Sequence, residues 1–303
     1  MVEIIKIVKE GEQNQRLDVY VAQHSELSRS AAQKLIGQGF VLCNDLQLPN
    51  AYQVQVDDEI VISIPKTPTH TIKPVAMDLD ILYEDDDLLV LNKSVGLVVH
   101  PAQSYEGATL VEGLLAHSDA FAAMEDPKRP GIVQRLDKET SGLMVVAKHE
   151  KAQENLSGQI QDNTMVRVYH ALVHGQVFPD VFNIDAPIGR HPHHRQNMTV
   201  IAQNSKPALT VVRVLERFQA ASLVECSLKS GRTHQIRVHL QFIDHPVFHD
   251  PKYGRRKDKK TGQLLIAKHL SFKHPRTNQP LSFDVDYEPE MQAIITQLRK
   301  ESL

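Results

Sequence analysis

Three short stretches carry side chains that could do chemistry together. In the first, Arg135-Leu136-Asp137-Lys138-Glu139-Thr140-Ser141-Gly142 follows Gly131-Ile132-Val133 and precedes an apolar run. That order places Asp137 on a loop held between strands, where a rigid scaffold can display a reactive group. A carboxylate so displayed can act as a covalent nucleophile or as a proton-abstracting base. In the second, Arg167-Val168-Tyr169-His170-Ala171-Leu172-Val173-His174-Gly175 sets a tyrosine in an otherwise apolar strand. The third, Ser230-Gly231-Arg232-Thr233-His234-Gln235-Ile236-Arg237-Val238-His239-Leu240, reads as a glycine turn opening an amphipathic helix. On it Ile236, Leu240 and Ile243 form the core stripe, with Arg237 one position round. An arginine there either pairs with a buried acid, because an unpaired buried charge is costly, or snorkels to solvent. Spacing leaves both open, and by pattern alone Asp137 reads as a structural turn aspartate ahead of a catalytic one. A second Arg-Leu-Asp, at Arg16 to Asp18, falls inside a helical pattern, where Asp18 reads as a first-turn charge favoured by the helix dipole.

The elements around these stretches read as two regions. Met1 to Gly11 alternates apolar and charged residues as a strand does. A helix is predicted over Arg16 to His24 and another over Arg29 to Ile36, capped by Ser28 and closed by Gly37 and Gly39. Short strands follow at Phe40–Cys43 and Glu59–Ile64. The stretch from Pro65 to about Val75 lacks periodicity, holds three prolines and reads as a linker. Beyond it, strands are predicted at 81–83, 88–92, 143–147, 165–173, 210–215 and 223–228, and helices at 110–117, 151–161, 233–242 and 289–300. They interleave without the regular alternation of a doubly wound parallel sheet. The predicted class is therefore α+β: a small module joined to a larger domain built on a mixed, mostly antiparallel sheet with flanking helices.

The chain has 303 residues, which at roughly 150 per domain suggests two. No apolar run approaches the roughly 18 residues that span a bilayer, and a cytoplasmic protein with no membrane partner is expected. Two cysteines, Cys43 and Cys226, are too few and too far apart for a disulfide framework or a zinc finger. The net charge of −3 hides a contrast, since Arg190 to Arg276 holds 17 Lys and Arg against 5 Asp and Glu. A basic segment can bind a polyanion whatever the net charge of the whole; it can also be merely a solvated surface. His191, His193 and His194 lie close together, but no Cys or carboxylate stands at ligand spacing and Pro192 interrupts them, so no metal site is expected.

The three stretches, over Gly131 to Lys148, Arg167 to Gly175 and Ser230 to Leu240, resemble the signature motifs of the RluA/RluD-type ribosomal RNA pseudouridine synthases, in the same order. Residues 14 to 65 resemble the S-four-like RNA-binding domain that many of those enzymes carry. Ala186 to Pro192 and His245 to Gly254 are similar to the RluD-like branch. Gln134, Ser94 and His249 depart from the usual histidine, proline and glycine, which touches branch assignment more than activity. The resemblance implies that Asp137 is the catalytic aspartate, that Tyr169 stacks on the target base, and that Arg237 ion-pairs with Asp137. It implies too that Arg135 fills the gap left when the target nucleotide leaves the RNA stack. Further RNA contacts are expected from Arg29 and Lys34 in the amino-terminal module, and from Arg190, Arg195, Arg232 and His234 in the basic segment.

The domain boundaries so implied are 1–65, a linker over 66–77, and a catalytic domain over 78–303. The implied reaction breaks the ribose–uracil bond, turns the base and rejoins it through carbon 5. It needs no redox cofactor, metal or ATP, and none is expected. The implied partner is structured RNA, a large-subunit ribosomal stem-loop ahead of transfer RNA, acted on by a monomer. Two other classes compete. A non-catalytic RNA-binding or ribosome-assembly protein would explain the basic segment but not Asp137, Tyr169 and Arg237 together. A nucleoside or glycoside hydrolase would need a second acid beside Asp137, for which Glu139 is the one candidate.

Overall fold

Alternate residues of the larger sheet go to opposite faces, both of them buried along its central strands, and the helices follow that division. The computed structural model describes residues 2–65, 72–101, 105–126, 129–194, 196–258 and 261–302. By internal contacts the chain forms two compact units, residues 1–71 and 72–303.

The first unit holds β1 (Val2–Ile7), α1 (Leu17–His24), α2 (Arg29–Gly37), β2 (Val41–Cys43) and β3 (Glu59–Ile64). Its antiparallel sheet runs β1-β3-β2. Leu17, Tyr20 and Val21 of α1 and Ala32 and Ile36 of α2 pack with Val41, Ile60 and Ile62 of the strands. Ser28 caps α2 as its position suggests, its Oγ accepting from the N–H of Ala31 at 3.3 Å. Asp18 does more than meet a helix dipole. It is fully buried, accepts from Arg16 at 3.0 Å and from Gln33 at 2.6 Å, and lies 3.3 Å from Arg29 Nε. The hydrogen bond from Arg16, then those from Gln33 and Arg29, hold its carboxyl well below the usual carboxylate range against the opposing effect of burial.

The second unit runs β4 (Asp80–Glu84), β5 (Leu88–Lys93), α3 (Leu110–His117), α4 (Asp119–Ala122), β6 (Ser141–Ala147), α5 (Glu150–Gln161), β7 (Val166–His174), β8 (Val181–Asp185), β9 (Ile188–Arg190), β10 (Met198–Val200), β11 (Ser205–Lys206), β12 (Leu209–Arg217), β13 (Ala221–Leu228), α6 (Gln235–Phe242), β14 (Leu265–Lys273), β15 (Pro280–Asp284) and α7 (Pro289–Glu301). The large sheet is ordered β4-β5-β6-β14-β7-β13-β12-β8, with β15 beside β14. Only β6 and β14 pair in parallel, so the sheet is mixed and mostly antiparallel, as the sequence predicts.

Leu89 and Leu91 of β5, Met144 and Val146 of β6 and Tyr169 and Ala171 of β7 face one way, against Leu110 and Leu114 of α3 and Ile236 and Leu240 of α6. Leu88, Val90, Leu143 and Val145 face the other way, against Leu156 of α5 and Met291 and Ile295 of α7. Each such fully buried side chain contributes about 1.5–3 kcal/mol relative to exposure. The helix starts are set locally. Thr109 and Glu112 form a capping box at α3, and Pro289 opens α7.

The sequence reading leaves out β8, β9, β10, β11, β14 and β15, of which β14 and the small sheet bear on the site. β14 sits at the centre of the sheet between β6 and β7, and its register shifts between Ala267 and His269. That bulge breaks the period-2 pattern by which a strand is recognised. The small sheet β10-β9-β11 lies outside the main one. Of the linker stretch, residues 66–71 lie outside the described residues. Among those described, no helix is long and apolar enough to cross a membrane.

Candidate active site

The loop bearing Asp137 is bracketed by two glycines that no other residue could replace without strain. Gly131 has φ +67° and a Cβ there would stand 1.9 Å from the carbonyl oxygen of Ala147; Gly142 has φ +106° and a Cβ would meet the Ala267 carbonyl at 2.3 Å. Between them, Leu136 is buried in the core beside Tyr169 and Ile236, so Asp137 next to it is turned outward with its side chain 26% exposed. Beneath the loop lies Lys93, wholly buried, whose ammonium donates to the carbonyls of Ser94 at 2.8 Å, Leu97 at 2.9 Å and Lys138 at 3.1 Å. Burial pulls Lys93 down to about 8, against the upward pull of Glu139 and Asp137.

Arg237 reaches the loop from α6. The turn before that helix is stitched by Gln235, whose side chain accepts from Ser230 Oγ (2.8 Å) and the Arg232 N–H (3.0 Å) and donates to Thr210 Oγ1 (3.0 Å) on β12. Arg237 is 3% exposed, so it does not snorkel. Its Nη1 donates to Asp137 Oδ2 at 2.6 Å, while Nε and Nη2 donate to the two oxygens of Asp250 at 2.7 and 2.8 Å. Asp250 is fully buried and also accepts the backbone N–H groups of Lys252 and Tyr253. Burial lowers the pKa of Arg237, but the hydrogen bond to Asp250 and the charges of Asp137 and Asp250 outweigh it and leave it above the ordinary value. Burial raises Asp250, and its hydrogen bonds with Arg237 more than reverse that.

His234, in the left-handed conformation at the head of α6, lines the same space. Tyr253 Oη accepts the N–H of Met198 at 2.9 Å and lies 2.7 Å from His234 Nδ1. The phenol proton therefore goes to Nδ1, and the imidazole carries its own proton on Nε2, 3.9 Å from Asp137 Oδ1. Burial, against the pull of Asp137 and helped by Arg237, brings His234 down to about 4, so the ring is neutral at pH 7.

Asp137 and His234 border a cavity of about 580 Å³ whose wall also includes Tyr169, Arg135 and Arg232. Tyr169, on β7, is 6% exposed, and burial raises its phenol above the ordinary value, against Arg167 and with Asp137. Arg135 is exposed and donates to Thr233 Oγ1 at 3.4 Å. Arg232 donates to the Pro207 carbonyl at 3.0 Å. Asp137 is the one carboxylate on that wall among the described residues; Glu139 lines a separate small pocket beside Gly262, which leaves a paired-acid hydrolase without its second acid.

The other sequence-predicted positions lie elsewhere. Arg190, on β9, is not among the residues lining the cavity, and Arg195 lies outside the described residues. Arg29 and Lys34 are exposed on α2 of the first unit. The basic segment is not one surface, since Arg213 pairs with Glu225, Arg217 with Asp180 and Arg276 with Asp87. His191 Nδ1 accepts the backbone N–H groups of His193 and His194, a turn rather than a ligand set. Among the described residues Asp85, Asp87 and His274 come close enough together to hold a cation, yet Tyr83 donates to Asp85 and Arg276 lies 2.8 Å from Asp87. The sequence reading named the Asp250 to Gly254 stretch without giving Asp250 or Tyr253 a role, and it left Arg167, which also lines the cavity, unassigned.

Comparison with known proteins places this geometry. Residues 87–242 match the RNA pseudouridylate synthase family and residues 15–60 match the S4 domain. An uncharacterized RNA pseudouridine synthase of Bacillus subtilis, YlyB, is 43% identical over 293 residues, covering 96% of each chain. The ribosomal large subunit pseudouridine synthase D of Neisseria meningitidis serogroup A is 41% identical over 301 residues, 95% of this chain and 79% of that one. Among solved structures, human RNA pseudouridylate synthase domain containing 1 superposes with a TM-score of 0.58 at 25% identity, covering 73% of this chain and 95% of the other.

Proposed function

This chain belongs to the RNA pseudouridylate synthase family, and from that premise we propose that it isomerises specific uridines in a stem-loop of large-subunit ribosomal RNA, with Asp137 as its essential carboxylate. The activity is that of an isomerase: the C1′–N1 bond of a uridine breaks, the uracil turns, and C1′ bonds to carbon 5. The carbon 5 proton is lost and N1 gains one, so atoms and electrons balance within the nucleotide.

Asp137 starts this either by attacking C1′ or by removing the 2′ proton. Both roles need an ionised carboxylate, which Arg237 favours by its charge and its 2.6 Å hydrogen bond. Tyr169 offers the detached uracil a face to stack on while it turns, worth on the order of 1–3 kcal/mol. A uridine in a stem must first leave the stack, at a few kcal/mol, and the exposed Arg135 two residues from Asp137 takes its place. Residues 1–65 act as the RNA-binding module, with Arg29 and Lys34 against the phosphates, and residues 78–303 as the catalytic domain beyond a linker. Arg190, Arg195, Arg232 and His234 add contacts that position the RNA.

The observation that supports this reading most is the Arg237–Asp137 ion pair opening onto the cavity beside Tyr169. The choice of large-subunit RNA is supported by the relative from Neisseria meningitidis that carries that substrate in its name. Mapping pseudouridines in ribosomal and transfer RNA from cells with and without the gene tests it. Loss of sites in a large-subunit stem-loop is expected. Loss confined to transfer RNA would move the substrate, and loss of none would overturn the reading.

A further inference from the structure

Arg167, on β7, is a largely buried cation. It is 9% exposed, its Nε is enclosed, and no hydrogen bond or ion pair to its side chain is present among the described residues. Nε is enclosed without a partner, which is costly, and the terminal nitrogens are left toward the cavity, where a ligand can complete the guanidinium. Arg167 lines the same cavity as Asp137 and Tyr169. Its Nη1 points toward the turn before α6, standing 3.8 Å from where a Cβ on Gly231 would be. The cavity wall also carries Arg129, Arg135, Lys138 and Arg232. Against these cations stands one carboxylate, Asp137, already paired with Arg237. Glu139 lies 3.8 Å from Lys138, and the lining still carries more cations than carboxylates.

Uracil is neutral, and its carbonyls ask for an N–H donor rather than a permanent charge. The planar fork of an arginine matches a phosphate, which it can grip through two parallel hydrogen bonds. Position agrees. Arg167 and Tyr169 are alternate residues on β7, so they share a face about 6–7 Å apart, close to the separation between base and phosphate within one nucleotide. With uracil stacked on Tyr169, the backbone of the same nucleotide passes Arg167. We propose that Arg167 is the binding site for one of the two phosphodiesters flanking the flipped uridine, a contact made only once the nucleotide has left the stack. The proposal rests on the reading of the chain as an RNA pseudouridine synthase. Arg167 is a positioning residue: it fixes the sugar over Asp137 without touching the reacting atoms.

The test couples a chemical change in the RNA to a change in the full-length protein. Two synthetic stem-loops spanning the mapped uridine carry a neutral methylphosphonate, one 5′ and one 3′ of that uridine. For the wild-type enzyme, one of the two linkages is expected to lower kcat/KM for pseudouridine formation about 10- to 100-fold, the range of a lost charge-assisted hydrogen bond. In Arg167→Gln that linkage should no longer matter, while the other affects both enzymes equally. Arg167→Lys, which keeps the charge but not the fork, should recover part of the loss on unmodified RNA. The proposal is overturned if both linkages lower wild type and Arg167→Gln by the same factor, as contact with a uracil carbonyl would require. Indifference of the wild-type enzyme to both linkages overturns it without any variant having to fold. Wild-type turnover of the unmodified stem-loop separates the two levels, because its absence counts against the functional reading itself.

Discussion

Asp250 closes on Arg237 through two parallel hydrogen bonds, Nε to Oδ2 at 2.7 Å and Nη2 to Oδ1 at 2.8 Å, and so leaves Nη1 as the nitrogen that reaches Asp137. Two fully or nearly fully buried groups thereby aim a third that is partly open to solvent. Arg237 is oriented before any RNA arrives.

Removing Asp250 should therefore damage both fold and rate. Breaking a buried ion pair from one side costs about 3–5 kcal/mol, and Asp250→Asn should lose that much in urea unfolding at pH 7. The sign of its pH dependence follows from the lowered carboxyl. Stability from Asp250 is present above the ordinary value of 3.8 and is lost as pH falls through the folded value. The gap between wild type and Asp250→Asn should thus narrow on acidification below about pH 4. A gap that widens there would contradict the pairing.

His234 should be neutral, with its proton on Nε2, through the whole range in which RNA modification is assayed. Its folded pKa of about 4 lies below the ordinary 6.5, so the unfolded chain binds more protons between those values and the stability from this group rises as pH rises across them. Nitrogen-15 NMR of the imidazole should show a protonated Nε2 and an accepting Nδ1 at pH 7, with no titration above pH 6. Tyr253→Phe removes the donor to Nδ1 and should mix the two tautomers. Titration of His234 near 6.5 in the wild type, or an unchanged tautomer in Tyr253→Phe, would contradict the hydrogen-bond chain.

Lys93 gives a second pH signature of the same sign in a more alkaline window. Its folded pKa of about 8 lies below the ordinary 10.5, so the folded state sheds the proton first and the Lys93 contribution to stability rises between those values. The stability difference between wild type and Lys93→Met should grow in favour of the wild type from pH 8 to 10. A flat or falling difference would mean that the ammonium is not desolvated as its burial requires.

How much of this was legible in the sequence differs residue by residue. Local order displays Asp137 and leaves Arg237 open between pairing and snorkelling; the family resemblance implies their ion pair, and the placing of α6 beside the loop supplies its 2.6 Å geometry. Asp250 was not legible as a partner, because 13 residues of turn separate it from Arg237 and no periodicity links them. Tyr253 was missed for the same reason, although it sets the tautomer of His234. The central strand β14 was obscured by its bulge and its interspersed Lys268 and His269. A charge count along the chain cannot show that Arg213, Arg217 and Arg276 of the basic segment are matched by Glu225, Asp180 and Asp87.

The central claim is that Asp137 carries the chemistry, and Asp137→Asn tests it most directly. The substitution keeps the shape of the side chain and removes the ionisable carboxylate. Pseudouridine formed in a large-subunit ribosomal RNA fragment should be undetectable with this variant, while its affinity for the same RNA stays within a few-fold of the wild type. Pseudouridine formed at the wild-type rate would contradict the account.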